Sequence, residues 1–492
     1  MRSSKGKGCW VMVAVAVFSG VTAAQEQSGG GLAHQTPSPQ ELWAAVAELR
    51  ELVLAQNREL AGQRELIRAQ QQRLEQMEAL LRQRAATATE SNSPARSQPA
   101  GLPMPTGTAL PTAQNQPGGA AAGLESLRRA LGNFRFSGDL RLRGETFHDG
   151  DPARIRGRFR LRFNVDAQFG EEWRGGLRLA SGDDTDPIST NQTFTDFFLR
   201  KPVNLDLAFV SYQPRWWKGL TLTGGKFAVT WHRTEMTLDN DLNPEGASQA
   251  IEFKVSRGAL QRITLVGFQA PFFERSVGRD SLLLGGQVQL GFQPLGPVRL
   301  TTYAGFMDFL RTDPVRAAQT AVPQGLTGNV NNHAATATQF ASRFGLLDLI
   351  TRMEIDTGTE RWPLVLQFDY VNNTRACTNL VNIAPPRPTC NPRDRDGFWV
   401  ELLLGRTRQR HDVEFGYTFL RIEQEAVLGA FNFSDLRVST GVFTHRLSFG
   451  YQFADRATLA WTGLFGRRLV TAQAPVREPL LRRMQFDVIY RY

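Results

Sequence analysis

From Phe134 onward, apolar and charged residues alternate with a period of two. In the stretch Phe134–Phe147, one face carries Phe134, Phe136, Leu140 and Leu142, and the other Arg135, Asp139, Arg141, Arg143 and Glu145. The next stretch is stricter: Phe159, Leu161, Phe163, Val165, Ala167 and Phe169 alternate with Arg158, Arg160, Arg162, Asn164, Asp166 and Gln168. A period of two is the signature of a strand with two unlike faces. Runs of about ten residues or more are long for a soluble sheet, where about five or six is usual. An apolar face against lipid and an arginine face against water fit a transmembrane barrel. Further strand-like segments begin near Trp173, Val203, Leu220, Ser248, Arg262, Leu282, Val298, Arg343, Trp362, Gly397, Arg410, Thr444, Ala457 and Met484. Together they predict an all-β barrel of about 16 antiparallel strands, a size that leaves an aqueous channel.

The connections alternate in length. Gly170–Glu172, Pro294–Pro297, Thr407–Gln409 and Ala454–Arg456 are short. Ser181–Pro202, Ala228–Ala247, Met307–Ser342, Asn372–Asp396, Leu420–Phe443 and Gly466–Arg483 are long. Short turns on one side and long loops on the other are what outer-membrane barrels show. Trp173, Trp216, Trp217, Trp362, Trp399 and Trp461 near strand ends fit aromatic girdles at the membrane interfaces.

Ahead of the strands the period changes. Val46, Val53, Leu60, Ile67, Leu74 and Leu81 occupy a positions, and Leu42, Leu49, Gln56, Gln63, Gln70 and Met77 d positions, of an unbroken heptad. This predicts an α-helical coiled coil over 40–84. The Ala/Pro/Gly-rich stretch 85–123 reads as a flexible linker, 124–132 as a short helix, and 133–492 as the barrel. At the N-terminus, Arg2, Lys5 and Lys7, the apolar run Trp10–Phe18 and the small residues Val21–Ala24 predict a secretory signal peptide over 1–24, with a disordered stretch over 25–39.

The net charge of +10 in 492 residues raises nucleic acid, membrane surface and anionic solutes as partners. No basic helix, zinc-ligand spacing or RNA-binding signature supports nucleic acid. A mean hydropathy of −0.30 argues against a helical membrane protein, but alternation dilutes the apolar residues of a barrel. Export makes a disulfide between Cys377 and Cys390 the expected use of these cysteines, worth roughly 3 kcal/mol on the loop-entropy model. The final segment, MQFDVIYRY, places Phe486, Tyr490 and Tyr492 on one face and looks like the signal by which barrels are recognised for insertion by the assembly machinery.

Three runs carry a resemblance: GDLRLRGETF, RLASGDDTDPISTNQTFTDFF and GGKFAVTWHRTEMTLDNDLNPEG. They resemble the putative porins of Gram-negative bacteria, in which a signal peptide and a periplasmic coiled coil precede a barrel. The resemblance implies a passive outer-membrane channel for small hydrophilic solutes or ions, embedded in outer-membrane lipid, with the coil in the periplasm. Sixteen-stranded porins commonly form homotrimers, and a parallel three-stranded coil suits that symmetry.

Within that reading the stretch 228–247 is the third outer connection and the expected constriction, with His232, Arg233, Glu235, Asp239, Asp241 and Glu245 lining it. Arg141, Arg143, Arg156, Arg158, Arg160 and Arg162 form the expected pore wall, either free to attract anions or paired with Asp139, Glu145 and Asp166. The run Asp239–Glu245 lacks the turn glycine and final glutamate of a calcium loop, so no metal or cofactor is assigned. No Gly-x-Ser-x-Gly or His-Glu-x-x-His motif points to an enzyme. Two other readings stay open. One is a barrel anchor that tethers the outer membrane to the cell wall, with peptidoglycan as the coil's partner. The other is a solute-specific channel or exporter.

Overall fold

The computed structural model describes residues 134–149, 154–195, 197–321, 330–380, 389–470 and 475–492. The signal peptide, disordered stretch, coiled coil, linker and short helix expected over 1–132 lie outside the described residues.

Sixteen long strands form one antiparallel sheet. They are β1 (Phe134–His148), β2 (Arg154–Phe169), β3 (Trp173–Ser181), β4 (Val203–Tyr212), β5 (Leu220–Lys226), β6 (Glu245–Arg257), β7 (Leu260–Phe273) and β8 (Ser281–Leu295). The series continues with β9 (Val298–Leu310), β10 (Phe344–Ile355), β11 (Leu364–Asn373), β12 (Asp396–Gly405), β13 (Val413–Ile422), β14 (Val442–Ala454), β15 (Ala457–Arg468) and β16 (Leu481–Arg491). Each pairs with its neighbours in sequence, and β1 pairs with β16 in register from Asp139↔Arg491 to His148↔Arg482, so the sheet closes. Closure removes the exposed edge that an open sheet of this size would carry. At the seam the Gly138 N–H donates to the Tyr492 carbonyl and the Tyr492 N–H returns the bond to Gly138. A Cβ at Gly138 would lie 2.2 Å from the Arg162 carbonyl oxygen, so only glycine fits this crossing.

The period of two sorts the side chains as the sequence predicts. Leu140, Leu142, Leu161, Leu265, Phe368, Leu447 and Phe486 are exposed on the outer face. Trp173, Trp216 and Trp362 are exposed at the end bearing the short turns, where Trp173 packs on Tyr212. Trp399 departs from the girdle expectation: it points inward, is 2% exposed, and packs against Phe433 and the Arg446 guanidinium. Its place on β12 shares a face with Glu401, and that face belongs to the lumen.

The long connections gather at the other end. Counting along the chain, L2 spans 182–202, L3 227–244, L5 311–343, L6 374–395 and L7 423–441. Cys377 and Cys390 are disulfide-bonded across L6. L5 contains helix α1 (Asp313–Ala321). L3, L5 and L7 enter the barrel and form a single apolar core with inward side chains of β7–β15. L3 supplies Trp231, Met236 and Leu238; L7 supplies Leu428, Phe431 and Phe433 among others; the strands supply Phe268, Met307, Leu346 and Leu420. A buried loop must also satisfy its backbone polar groups. Here asparagine amides do so: Asn332 Nδ2 donates to the carbonyls of Gln424 and Val427, and Asn373 Nδ2 to that of Glu425.

Candidate functional site: the lumen around L3

The β1–β2 ladder determines how the wall arginines are used. Asp139 faces Arg162 and Glu145 faces Arg156, so the two outer cross-strand pairs join opposite charges. Between them Arg141 faces Arg160 and Arg143 faces Arg158, two like-charge pairs that the ladder alone leaves repulsive. Four of the six arginines find carboxylates. Arg160 and Arg162 share Asp139, each at 2.7 Å, and Arg156 binds Glu145. Arg143 grips Asp487 of β16 with two parallel bonds of 2.7 and 2.8 Å, the bidentate geometry that favours arginine. The remaining two have neutral partners from L2: Arg141 donates to Asn191 Oδ1, and Arg158 to Ser189 Oγ at 3.3 Å. The Nε of each is buried without an acceptor.

L3 crosses from one wall to the other. On the far side, His232 stacks on Tyr303 at 4.1 Å between ring centroids, and its Nε2 lies 3.0 Å from Gln367 Oε1. Burial holds the His232 imidazole below its ordinary value, and Nε2 donates to the Gln367 amide oxygen, which can only accept. Thr234 Oγ1 donates to Asp369 of β11, and Glu235 binds Arg446 of β14, which also binds Glu401 of β12. On the near side, Asp241 accepts two bonds from Thr190 and lies 3.6 Å from Arg162 Nη1. Of the carboxylates expected on this loop, Asp241 alone has a wall arginine within ion-pair distance. Asp239 instead caps two amides, those of Asp241 and Ser434, and so ties L3 to L7.

Glu245 corrects the expected boundary. It opens β6 opposite Lys226, pairs with it at 2.9 Å, and shares the outward face with Phe253, so it lies outside the lumen. The reason is register: pairing with β5 begins three residues before the predicted strand start at Ser248, and the strand period then directs position 245 outward. Asp166 also departs from expectation, pairing with Arg174 rather than with a wall arginine of β1 or β2.

The family described as "Putative porin" matches residues 145–340. The match bears out the resemblance over 145–340, a stretch that holds two of the three sequence runs, and it falls within the closed, apolar-faced barrel. Similar solved structures include Pseudomonas putida OprB at high pH, at 11% identity and TM-score 0.46, covering 76% of this chain and 97% of that one. Salmonella typhi OmpF in complex with daunomycin aligns at 9% identity and TM-score 0.43, covering 73% and 97%. A loop-deletion mutant of Vibrio cholerae OmpT aligns at 10% identity and TM-score 0.41, covering 73% and 99%. No curated protein matches the chain.

Two participants in this porin-type lumen escaped sequence reasoning. Asp435 of L7 binds Arg483 at 2.6 Å and lies 3.5 Å from Arg143, joining L7 to the polar wall. Burial opposes its ionisation, yet Arg483 and Arg143 prevail and hold the carboxyl well below the usual range. Arg483 in turn binds the fully buried Glu145. Position alone could have suggested Arg483, which is on β16 two residues from Gln485 and four from Asp487. Asp435 gave one faint signal: an apolar run, AVLGAF (426–431), unusual in a loop exposed to water.

Proposed function

We propose that the protein is a porin that conducts small hydrophilic solutes or ions through the lumen beside L3, with anions favoured. One observation carries this reading: among the described residues Arg141 and Arg158 on the lumen wall are held by Asn191 and Ser189 and by no bound carboxylate. Unneutralised cations on a confined aqueous wall raise the local anion concentration. His232, Arg233, Glu235, Asp239 and Asp241 form the loop part of the constriction, and the protein acts as a channel rather than an enzyme. A homotrimer in the outer membrane, with the coil below it in the periplasm, completes the proposal. Purified protein in a planar bilayer should give stepwise openings whose reversal potential in a salt gradient favours chloride. A conducting channel that favours potassium would overturn the anion preference.

The core of L3, L5 and L7 favours a second reading, a barrel that serves mainly as an anchor. A wide barrel can be a mere anchor only when filled, and these loops fill part of it. A silent barrel in the same bilayer experiment would decide for that reading.

A further inference from the structure

Asp348 of β10 and Asp369 of β11 meet where L3 docks on the wall. In the β10–β11 register Asp348 faces Val371 and Asp369 faces Ile350, so the two are diagonal neighbours on one inward face. They are 1% and 0% exposed. Their carboxyls hydrogen-bond to each other, and Asp369 Oδ2 also accepts from Thr234 Oγ1 of L3. Asp369 Oδ1 and both Asp348 oxygens meet no other donor among the described residues. A carboxylate can only accept, so a hydrogen bond between two carboxyls needs a proton on one of them. Two bare carboxylates side by side in a dry site would repel each other and lose their hydration.

The charged groups of the surrounding elements are engaged elsewhere. On β10, Arg352 binds Glu354; on β12, Glu401 binds Arg446 of β14. β9 places Gly305 opposite Asp348, and its Asp308 binds Arg375. On L3, Glu235 also binds Arg446, Asp239 caps two amides, Arg233 donates to Asn240 and to the Asp239 carbonyl, and the His232 ring faces Gln367. On L7, Glu425 binds His333 of L5. Neither Asp348 nor Asp369 has an ion pair among the described residues, so a proton takes the place that arginines fill on the opposite wall.

We infer that Asp348 and Asp369 form a proton-dependent latch for L3. One shared proton lets Asp369 accept from Thr234 while the pair stays buried, and loss of that proton releases the loop. On that loss the carboxyl O–H bond breaks, the proton passes to water, and two adjacent anions are left without a counter-charge. Water must then enter, and L3 is the segment that yields, because the strands are held by their ladders. Rising pH therefore loosens L3. The inference concerns how the loop is docked and holds whether or not the barrel conducts; in a conducting barrel it makes the constriction pH-dependent.

Hydrogen exchange on the full chain in detergent micelles tests the latch. Two amides report the docking of L3 on L7: Asp239 N–H donates to the Phe431 carbonyl at 2.8 Å, and Phe433 N–H to that of Glu235 at 2.9 Å. After correction for intrinsic exchange, their protection should fall at least about tenfold from about pH 5 to about pH 9 in wild type. Asp348→Asn removes the shared proton and keeps a donor for Asp369, so protection should stay level across that range. Asp369→Asn also leaves one carboxyl beside an amide, and it serves equally where the first variant does not fold. Thr234→Val, which cuts the bond to the loop, should lower protection at the acid end about fivefold. Protection that is level with pH in wild type overturns the latch. So does a wild-type pH response retained in either Asn variant, which would place the titrating group among His232 and the carboxylates of L3.

Discussion

The two sides of the lumen are built on opposite principles. The β1–β2–β16 side is a lattice of arginines and carboxylates, with Glu145, Arg143, Arg483 and Asp487 all nearly or fully buried. The β7–β15 side is an apolar core completed by L3, L5 and L7. Both are interior to the same barrel, and the alternation of the strands treats them alike. The difference lies in what occupies the lumen beside them. Where loops pack against the wall, apolar inward residues gain the usual burial stabilisation. On the β1–β2–β16 side the loops meet the wall through polar side chains instead, Ser189 and Asn191 of L2, Asp241 of L3 and Asp435 of L7, and the inward residues settle their charges with carboxylates of strands and loops. The leftover charge, on Arg141 and Arg158, is therefore confined to one side.

Removing a charge from the polar side should have the largest effect on stability. Glu145 accepts from Arg156, Arg483 and Gln485, and its side chain is fully buried. Glu145→Gln should lower unfolding stability by about 3–5 kcal/mol, because part-buried Arg156 loses its anion and buried Arg483 keeps only Asp435. Denaturant unfolding in micelles would measure it. A loss below about 1 kcal/mol would mean that the lattice is hydrated and behaves as a surface network.

On the apolar side, Phe431 of L7 lies between Phe272 and Phe309, at 5.7 and 6.2 Å. Phe431→Ala should cost about 3 kcal/mol. It should also raise single-channel conductance while leaving the reversal potential in place, because it loosens the filling without changing charge. A shifted reversal potential would show that the two sides are not separable.

Asp435 joins them, since it comes from L7 and binds the polar wall. Its depressed folded-state value fixes the sign of its pH dependence. The stabilisation is present above the unfolded value of about 3.9 and is lost as pH falls through the lower folded value. Asp435→Asn should therefore cost roughly 2 kcal/mol at pH 7 and flatten the acid limb of the stability profile. An unchanged acid limb in the variant would place the acid-sensitive group elsewhere.

How legible this was differs by link. Strand number and closure were readable, because the alternation from Phe134 to Phe169 and the short turns each report a local geometry. The split between the two sides was not. Alternation states which residues share a face but not what that face meets, and Phe344, Leu346 and Ile350 face the lumen although they are as apolar as Leu347 and Leu349, which face outward. Trp399 was misplaced for the same reason: an aromatic residue near a strand end looks alike in a lipid girdle and under an entering loop. The candidate loop was found, yet the partners of its charges depend on contacts over 200 residues away in sequence, such as Glu235 with Arg446, which no local pattern encodes.

The smallest effect on stability, and the most informative for function, comes from the unmatched pair. Arg141→Gln with Arg158→Gln should change stability by less than about 1 kcal/mol, since neither residue pairs with a carboxylate among the described residues. Reversal potential in a potassium chloride gradient, compared between wild type and this double variant, is the direct test of the central claim. The account predicts a chloride-favouring potential in wild type that moves toward zero in the variant. An identical potential in both proteins would contradict it.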